Sequence, residues 1–275
     1  MRHETATLAS WEFRGAARSR WVLGTALAFA ALCLTVTLLG MRSLRELGLA
    51  GVGPASAALI NLGILLPAIM GLLLGGNALV TAREQGVLAM VAAQPISRSA
   101  IVLGAFLGLY GALATSVLFG FGTAAVVLSG VAKGSDVMPL VSLVGATLGV
   151  STACVAIGLA FSASARSRMQ ATSTAITLWF LLALGMDLAL AAIAPAVHMG
   201  PTGLLSAVLL NPLEAGRVLA LLGASPDGTV LGPFGAYLVE DFGTGGAAGI
   251  LVASLLFWTV VPLGIARWVL PGRDI

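Results

Sequence analysis

The side chains that could perform chemistry are few in this sequence, and they form no familiar catalytic pattern. His3-Glu4 is followed by Thr7, where a zinc-binding helix of the H-E-x-x-H type needs its second histidine. No G-x-S-x-G string occurs that would hold a serine nucleophile. The single lysine, Lys133, precedes Gly134 rather than the Ser or Thr of a phosphate-binding P-loop. The sequence therefore predicts no catalytic site, metal site or ATP site in this chain.

One carboxylate stands alone in an apolar run. Asp187 follows Met186, and the residues three and four positions away on a helix carry no charge that could pair with it. An ionisable group inside a membrane segment is costly, so Asp187 is expected to face water, another helix or the outer boundary. A substrate path or helix contact is one interpretation of Met186 and Asp187, and proximity to the outer boundary is the other.

Composition decides which elements must position these residues. The chain is 59% hydrophobic and 9% charged, with a mean hydropathy of +1.04, whereas about a quarter of the residues are charged in a soluble domain. The basic residues are scattered and form no aromatic-lined groove, so the net charge of +3 does not indicate nucleic acid. The sequence predicts an all-α integral membrane protein, with lipid as its surroundings.

Crossing the hydrocarbon takes about 20 apolar residues in helical form. Six stretches meet this length, and they predict one transmembrane domain over residues 1–275. The predicted spans are 21–41, 59–80, 101–130, 138–163, 171–194 and 246–270.

A seventh apolar stretch, 204–222, is not expected to span because Asn211, Pro212, Glu214 and Arg217 lie at its middle. Asn211-Pro212 instead predicts a helix start, with Asn as cap and Pro at the first helical position. The outer segment 195–245 would then hold two short helices. These four residues are candidates for docking an external protein, and a passive cap over the helices is the alternative.

The basic residues also predict the orientation. With six spans and the N-terminus inside, ten basic residues are cytoplasmic and four are outside, in agreement with the positive-inside rule. Both termini are then cytoplasmic. Residues 1–20 predict an amphipathic interfacial helix, in which Leu8, Trp11 and Phe13 dip into the membrane while Arg14, Arg18 and Arg20 stay among the headgroups.

A polar interruption at 83–99 separates two apolar stretches and predicts a short helix parallel to the membrane on the cytoplasmic side. Glu84 and Gly86 open it, and Pro95 and Arg98 close it; an ordinary loop is the alternative. Because the chain has no motif of its own for using ATP, this helix is where a partner would deliver energy. Arg166 and Arg168 in the second cytoplasmic turn either share this role or anchor the topology.

These residues resemble the cytoplasmic loop of the type-2 ABC exporter permeases. The matching positions are Glu84, Gly86, Leu88, Pro95, Ser97 and Arg98. The N-terminal Trp11-Glu12-Phe13 with Arg18-Ser19-Arg20 is similar to the interfacial helix of that family. The resemblance implies a permease subunit of the bacterial inner membrane, whose partner ATPase subunits carry the ATP and Mg²⁺ and engage the 83–99 helix.

Within that family, shorter signatures resemble the permeases that serve nitrous-oxide reductase maturation. They are Leu178-Trp179-Phe180-Leu181 with Asp187, Leu209-Leu210-Asn211-Pro212 with Arg217, and Gly272-Arg273-Asp274. This likeness implies a homodimer and a periplasmic accessory protein that together support copper or sulfur delivery. Generic export of a drug or lipid and a membrane scaffold without transport remain the alternatives.

Overall fold

The computed structural model describes residues 2–47, 54–92, 96–131, 138–196 and 199–270, and these residues are almost entirely helical. The all-helical class predicted from composition is confirmed for this part of the chain. The helices, in chain order, are α1 (Arg2–Arg18), α2 (Arg20–Leu47), α3 (Pro54–Glu84), α4 (Val87–Ala92), α5 (Arg98–Val131), α6 (Met138–Ser164), α7 (Arg168–Phe180), α8 (Met186–Ala196), α9 (Pro201–Leu210), α10 (Pro212–Ala224) and α11 (Gly232–Val269).

Five of the described segments are long and apolar enough to cross a membrane, and the number rises to seven if each of two bent helix pairs is counted as a span. The expected number of six lies within this range and stays a prediction. The five segments are Ala58–Glu84, Arg98–Val127, Met138–Ser164, Arg168–Ile193 and Thr229–Val269.

The bundle is centred on α3 and α6, which approach closely through glycines. A side chain at Gly75 would meet the backbone oxygen of Val155, and one at Gly158 would lie 2.7 Å from the backbone nitrogen of Gly76. Small residues allow helices in a membrane to pack at backbone distance, because burial from water contributes little there. Gly71 and Gly75 therefore allow α3 to pack closely on α6, whereas Gly145 has open space beside it.

The N-terminal helix packs lengthwise on α5. A Cβ at Gly104 would lie 2.6 Å from the Cβ of Leu8, and one at Gly111 would lie 3.3 Å from the ring of Phe13. Leu8 and Phe13 thus contact protein, although the sequence predicted that they dip into the membrane interface; Trp11 stays 55% exposed. A bend of 65° separates α1 from α2.

The fifth predicted span is one helical segment with a local irregularity. Between α7 and α8 the chain forms a π-helical turn over Leu181–Gly185. Single π turns inside α-helices are uncommon and shift the register of the backbone hydrogen bonds. Trp179 in this segment donates its ring N–H to the backbone oxygen of Leu65 at 3.0 Å, which fastens α7 to α3.

The rejected seventh stretch is a sharply bent helix pair. The axes of α9 and α10 differ by 116°, and Pro212 occupies the first turn of α10. The Oδ1 of Asn211 accepts the backbone N–H of Leu213 at 3.0 Å, as a helix cap does. The last helix, α11, begins at Gly232 rather than near 246, and Gly243 interrupts it with a φ of 68°. The predicted outer segment therefore includes the first turns of α11.

Candidate functional site

The site begins at the C-terminal end of α3, which the sequence predicts to be cytoplasmic, and there Arg83 and Glu84 reach across to the turn between α6 and α7. The guanidinium of Arg83 donates to the backbone oxygens of Ala165 at 2.9 Å and Ala163 at 3.1 Å. The carboxylate of Glu84 accepts the backbone N–H of Arg168 at 2.8 Å. Arg83 thus donates to carbonyls at the C-terminal end of α6, and Glu84 accepts an amide N–H at the N-terminal end of α7.

Both contacts match the polarity of the helix ends. Helix C-termini carry unpaired carbonyls and partial negative charge, whereas N-termini carry unpaired amides and partial positive charge. Adjacent residues of opposite charge therefore bind two helix ends of opposite polarity. We call this pair of contacts, formed by Arg83 and Glu84 with the 163–168 turn, the cytoplasmic clasp.

The start of α7 has two further side-chain bonds. Ser167 accepts the backbone N–H of Gln170 at 3.2 Å, and Gln170 accepts the backbone N–H of Arg166 at 2.9 Å. Sequence reasoning missed Ser167 and Gln170, although their S-x-x-Q spacing is that of a capping box. Sequence reasoning also assigned no role to Arg83. The clasp joins residues about 80 positions apart, and no local pattern shows that pairing.

The helix predicted over 83–99 is shorter than expected. Arg83 and Glu84 belong to the last turn of α3, Arg98 begins α5, and the intervening helix is the six-residue α4. Gly86 makes the turn into α4 with a φ of 71°, a left-handed conformation that favours glycine. Pro95 lies outside the described residues.

The helix α4 has one inward and one outward side. Leu88 is 3% exposed and packs in the core, whereas Met90 is 73% exposed. Met169 in the neighbouring turn is 84% exposed. The basic residues Arg98, Arg166 and Arg168 are also exposed. The clasp therefore brings together the two turns that are predicted to be cytoplasmic, and they present methionine and arginine side chains on the surface of the molecule.

The N-terminal site residues lie on α1 and at the start of α2. Trp11, Arg18 and Arg20 are exposed, and Glu12 is half-buried. The Cβ of Glu12 packs against Gly108 of α5, at 2.5 Å from where a Cβ there would be. Glu12 therefore lies on the side of α1 that packs against the bundle.

The predicted outer residues lie inside the molecule. Asn211 is fully buried and donates its Nδ2 to the backbone oxygen of Leu182 at 2.7 Å. Pro212 is also buried. The oxygen of Leu209 accepts bonds from Ser254 at 2.9 Å and from the Trp258 ring at 3.1 Å. The tip of the α9–α10 pair thus reaches residues near the middle of two long helices.

Arg217 lies between two carboxylates. It bonds to Glu214 one turn earlier on α10, and its Nη1 lies 3.4 Å from Oδ2 of Asp187 on α8. The side chains of Glu214, Arg217 and Asp187 are 13%, 19% and 43% exposed. Asp187, without a partner on its own helix, therefore has one on another helix. The burial indicates an internal role for these residues, and their part in docking an external protein stays a prediction.

Comparisons with known proteins identify the family of this chain. A family model described as ABC-2 family transporter protein matches residues 6–275. The chain is 31% identical to a protein named Probable ABC transporter permease protein NosY from Pseudomonas aeruginosa, over 98% of both chains. It is likewise 31% identical to a protein of the same name from Stutzerimonas stutzeri, over 94% of this chain and 95% of the relative.

Proposed function

The chain belongs to the ABC-2 family of transporter proteins as a permease subunit, and we propose that a partner ATPase drives it through the surface that the cytoplasmic clasp assembles. ATP and Mg²⁺ would be bound by that partner. The proposed layout has six spans in one domain, both termini in the cytoplasm, and a homodimer in the inner membrane. The family indicated by Glu84, Gly86 and Arg98 is confirmed by the family model and the two relatives, whereas the roles of these residues are proposals.

The observation that carries the proposal is the clasp itself. Arg83 and Glu84 bind the 163–168 turn with three hydrogen bonds. A push on α4 or on that turn would therefore move the ends of α3, α6 and α7 together. Exposed Met90 and Met169 offer apolar contact area beside the arginines, which suits docking of another protein.

The resemblance to the nitrous-oxide reductase maturation permeases extends the proposal to the other side of the membrane. A periplasmic accessory protein would bind the outer segment, and the complex would deliver a copper or sulfur species or pass force to that protein. Exposed groups near Asp227 are better placed for such contact than the buried Asn211. Hydrogen bonds from Ser225 and Thr229 hold the pKa of Asp227 below its usual range, so this carboxylate is ionised at neutral pH.

The test compares charge variants of Glu84 in the complex purified with its ATPase. Glu84→Lys removes the acceptor at the start of α7 and puts a cation where the helix end is already positive. We expect permease-stimulated ATP hydrolysis to fall at least about fivefold, because losing a cap of about 1 kcal/mol changes a population by about that factor. Glu84→Gln keeps an oxygen acceptor and should retain most of the stimulation.

Glu240→Lys is the matched control, since Glu240 is an exposed glutamate on the outer part of α11. Normal stimulation in Glu84→Lys would refute the role of the clasp. Purification of the chain without any ATPase would instead favour a scaffold without transport. A complex that hydrolyses ATP without any periplasmic protein would favour the generic exporter.

A further inference from the structure

A groove of about 580 Å³ opens near the cytoplasmic end of the helices, between the N-terminal site residues and the start of α7. It is lined by residues of α1, α3 and α7, with single contributions from neighbouring helices. Helix α1 packs on α5, whereas α7 packs on α3, so the groove lies where these two pairs adjoin. Its volume is within the range of about 300–1,000 Å³ that is usual for binding sites of small molecules.

The end of the groove near the cytoplasm is polar and carries two opposite charges. Arg168 lines it at the start of α7, and Gln85 lines it just after α3. Glu12 lines it from α1 and also borders a small cavity beside Ala82 and Val87, which places it at the level of the last turn of α3. A carboxylate and a guanidinium therefore face one space at the same end.

Neither charge is paired with another side chain in the described part of the chain. Within the part of the chain that the structure describes, the carboxylate of Glu12 and the guanidinium of Arg168 have no hydrogen-bond or ion-pair partner, although the backbone amide of Arg168 binds Glu84. Glu12 is half-buried, and a half-buried charge without a partner is costly. A ligand that supplies a cation to Glu12 would relieve this cost.

The other end of the groove is apolar. Leu73 and Leu74 lie on α3 about one turn before Asn77 and about two turns before Thr81, and these two polar residues lead to the charged end. Ile176 lies about two turns along α7 from Arg168. The lining thus changes from charged to apolar over roughly 12–18 Å along the helices. A phospholipid of the inner leaflet has the same order, with its headgroup toward the cytoplasm and its acyl chains toward the middle of the membrane.

We propose that this groove binds one molecule of an ethanolamine phospholipid. Its ammonium donates hydrogen bonds to Glu12, with the exposed ring of Trp11 beside it, and its phosphate accepts them from Arg168. The acyl chains lie along Leu73 and Ile176. An ammonium with N–H groups suits a carboxylate better than choline, which has none to donate, and an anionic headgroup such as glycerol phosphate brings no cation for Glu12.

The experiment measures the lipids that the full chain retains after reconstitution with equal amounts of ethanolamine, choline and glycerol phospholipids. Native mass spectrometry of the purified protein counts each bound lipid. We expect the wild type to retain the ethanolamine lipid preferentially, and Glu12→Gln to reduce that preference about tenfold, because a charge-assisted hydrogen bond is lost. Arg168→Gln should lower retention of all three lipids, since each has a phosphate.

The controls keep the same chemistry outside the groove. Glu4→Gln changes a glutamate on the same helix, and Arg267→Gln changes an exposed arginine on α11; both should retain the wild-type pattern. Retention in proportion to the mixture, or an unchanged preference in Glu12→Gln, would overturn the proposal. So would a disulfide between two copies carrying Trp11→Cys and Ile176→Cys, because a second copy would then fill the groove. None of these outcomes depends on binding of an ATPase.

Discussion

Replacement of Asn211 tests how the bent α9–α10 pair is held in the bundle. The Asn211 side chain makes two bonds with different purposes: its oxygen caps α10 through Leu213, and its nitrogen fastens the bend to the Leu182 oxygen in the π turn. Serine at this position can still accept from the helix amide but is too short to reach Leu182. Alanine can do neither, so two variants separate the two bonds.

The structure sets the size of each effect. Asn211 is fully buried, so removing its amide leaves the Leu182 oxygen without that donor, at a cost of about 2 kcal/mol. Loss of the helix cap costs about 1 kcal/mol more. We therefore expect destabilisation of about 2 kcal/mol for Asn211→Ser and about 3 kcal/mol for Asn211→Ala. At about 3 °C per kcal/mol for a chain of this size, the midpoint of thermal unfolding falls by about 6 °C for the serine variant and about 9 °C for the alanine variant.

The assay is thermal unfolding of each purified variant in the same lipid nanodiscs, followed by tryptophan fluorescence, since Trp258 bonds to the neighbouring Leu209 oxygen. Ser206→Ala on α9 is the control, because Ser206 bonds within its own helix, to Gly203. Its midpoint should change by less than about 2 °C. A wild-type midpoint in Asn211→Ser would refute the fastening role, and equal midpoints in the two variants would refute the cap.

Two further perturbations follow from the same contacts. Arg217→Met leaves two carboxylates without their shared cation, and we expect the free energy of unfolding to fall by about 2 kcal/mol, between the values for exposed and buried ion pairs. Adding Asp187→Asn should restore part of the midpoint of thermal unfolding, and no recovery would contradict the pairing. Gly75→Ala places a methyl group against the backbone of Val155 and should cost about 1–3 kcal/mol in the same unfolding assay, whereas Gly249→Ala, with open space beside it, should be neutral or stabilising.

Local chemistry in the sequence predicted much of the fold. Hydrophobic composition predicted the helical class, and the Asn211-Pro212 pair predicted the break between α9 and α10, because capping and proline geometry act over a few residues. The helix at 83–99 was predicted too long. Arg83, Glu84 and Arg98 are polar enough to join an amphipathic surface helix, yet each continues a long helix of the bundle. Long-range packing, which the sequence does not display, extended those helices.

The residues Glu84, Arg98 and Asp187 could be singled out from sequence because polar groups are rare in an apolar chain. The missing P-loop indicated that energy would come from a gradient or from a partner. The partners of those residues could not be identified from the sequence. Whether Glu84 caps α7, whether Arg217 reaches Asp187, and whether Glu12 and Arg168 face one groove depend on contacts between residues 30 to more than 150 positions apart. Such contacts are selected by the packing of whole helices, which only the tertiary structure decides.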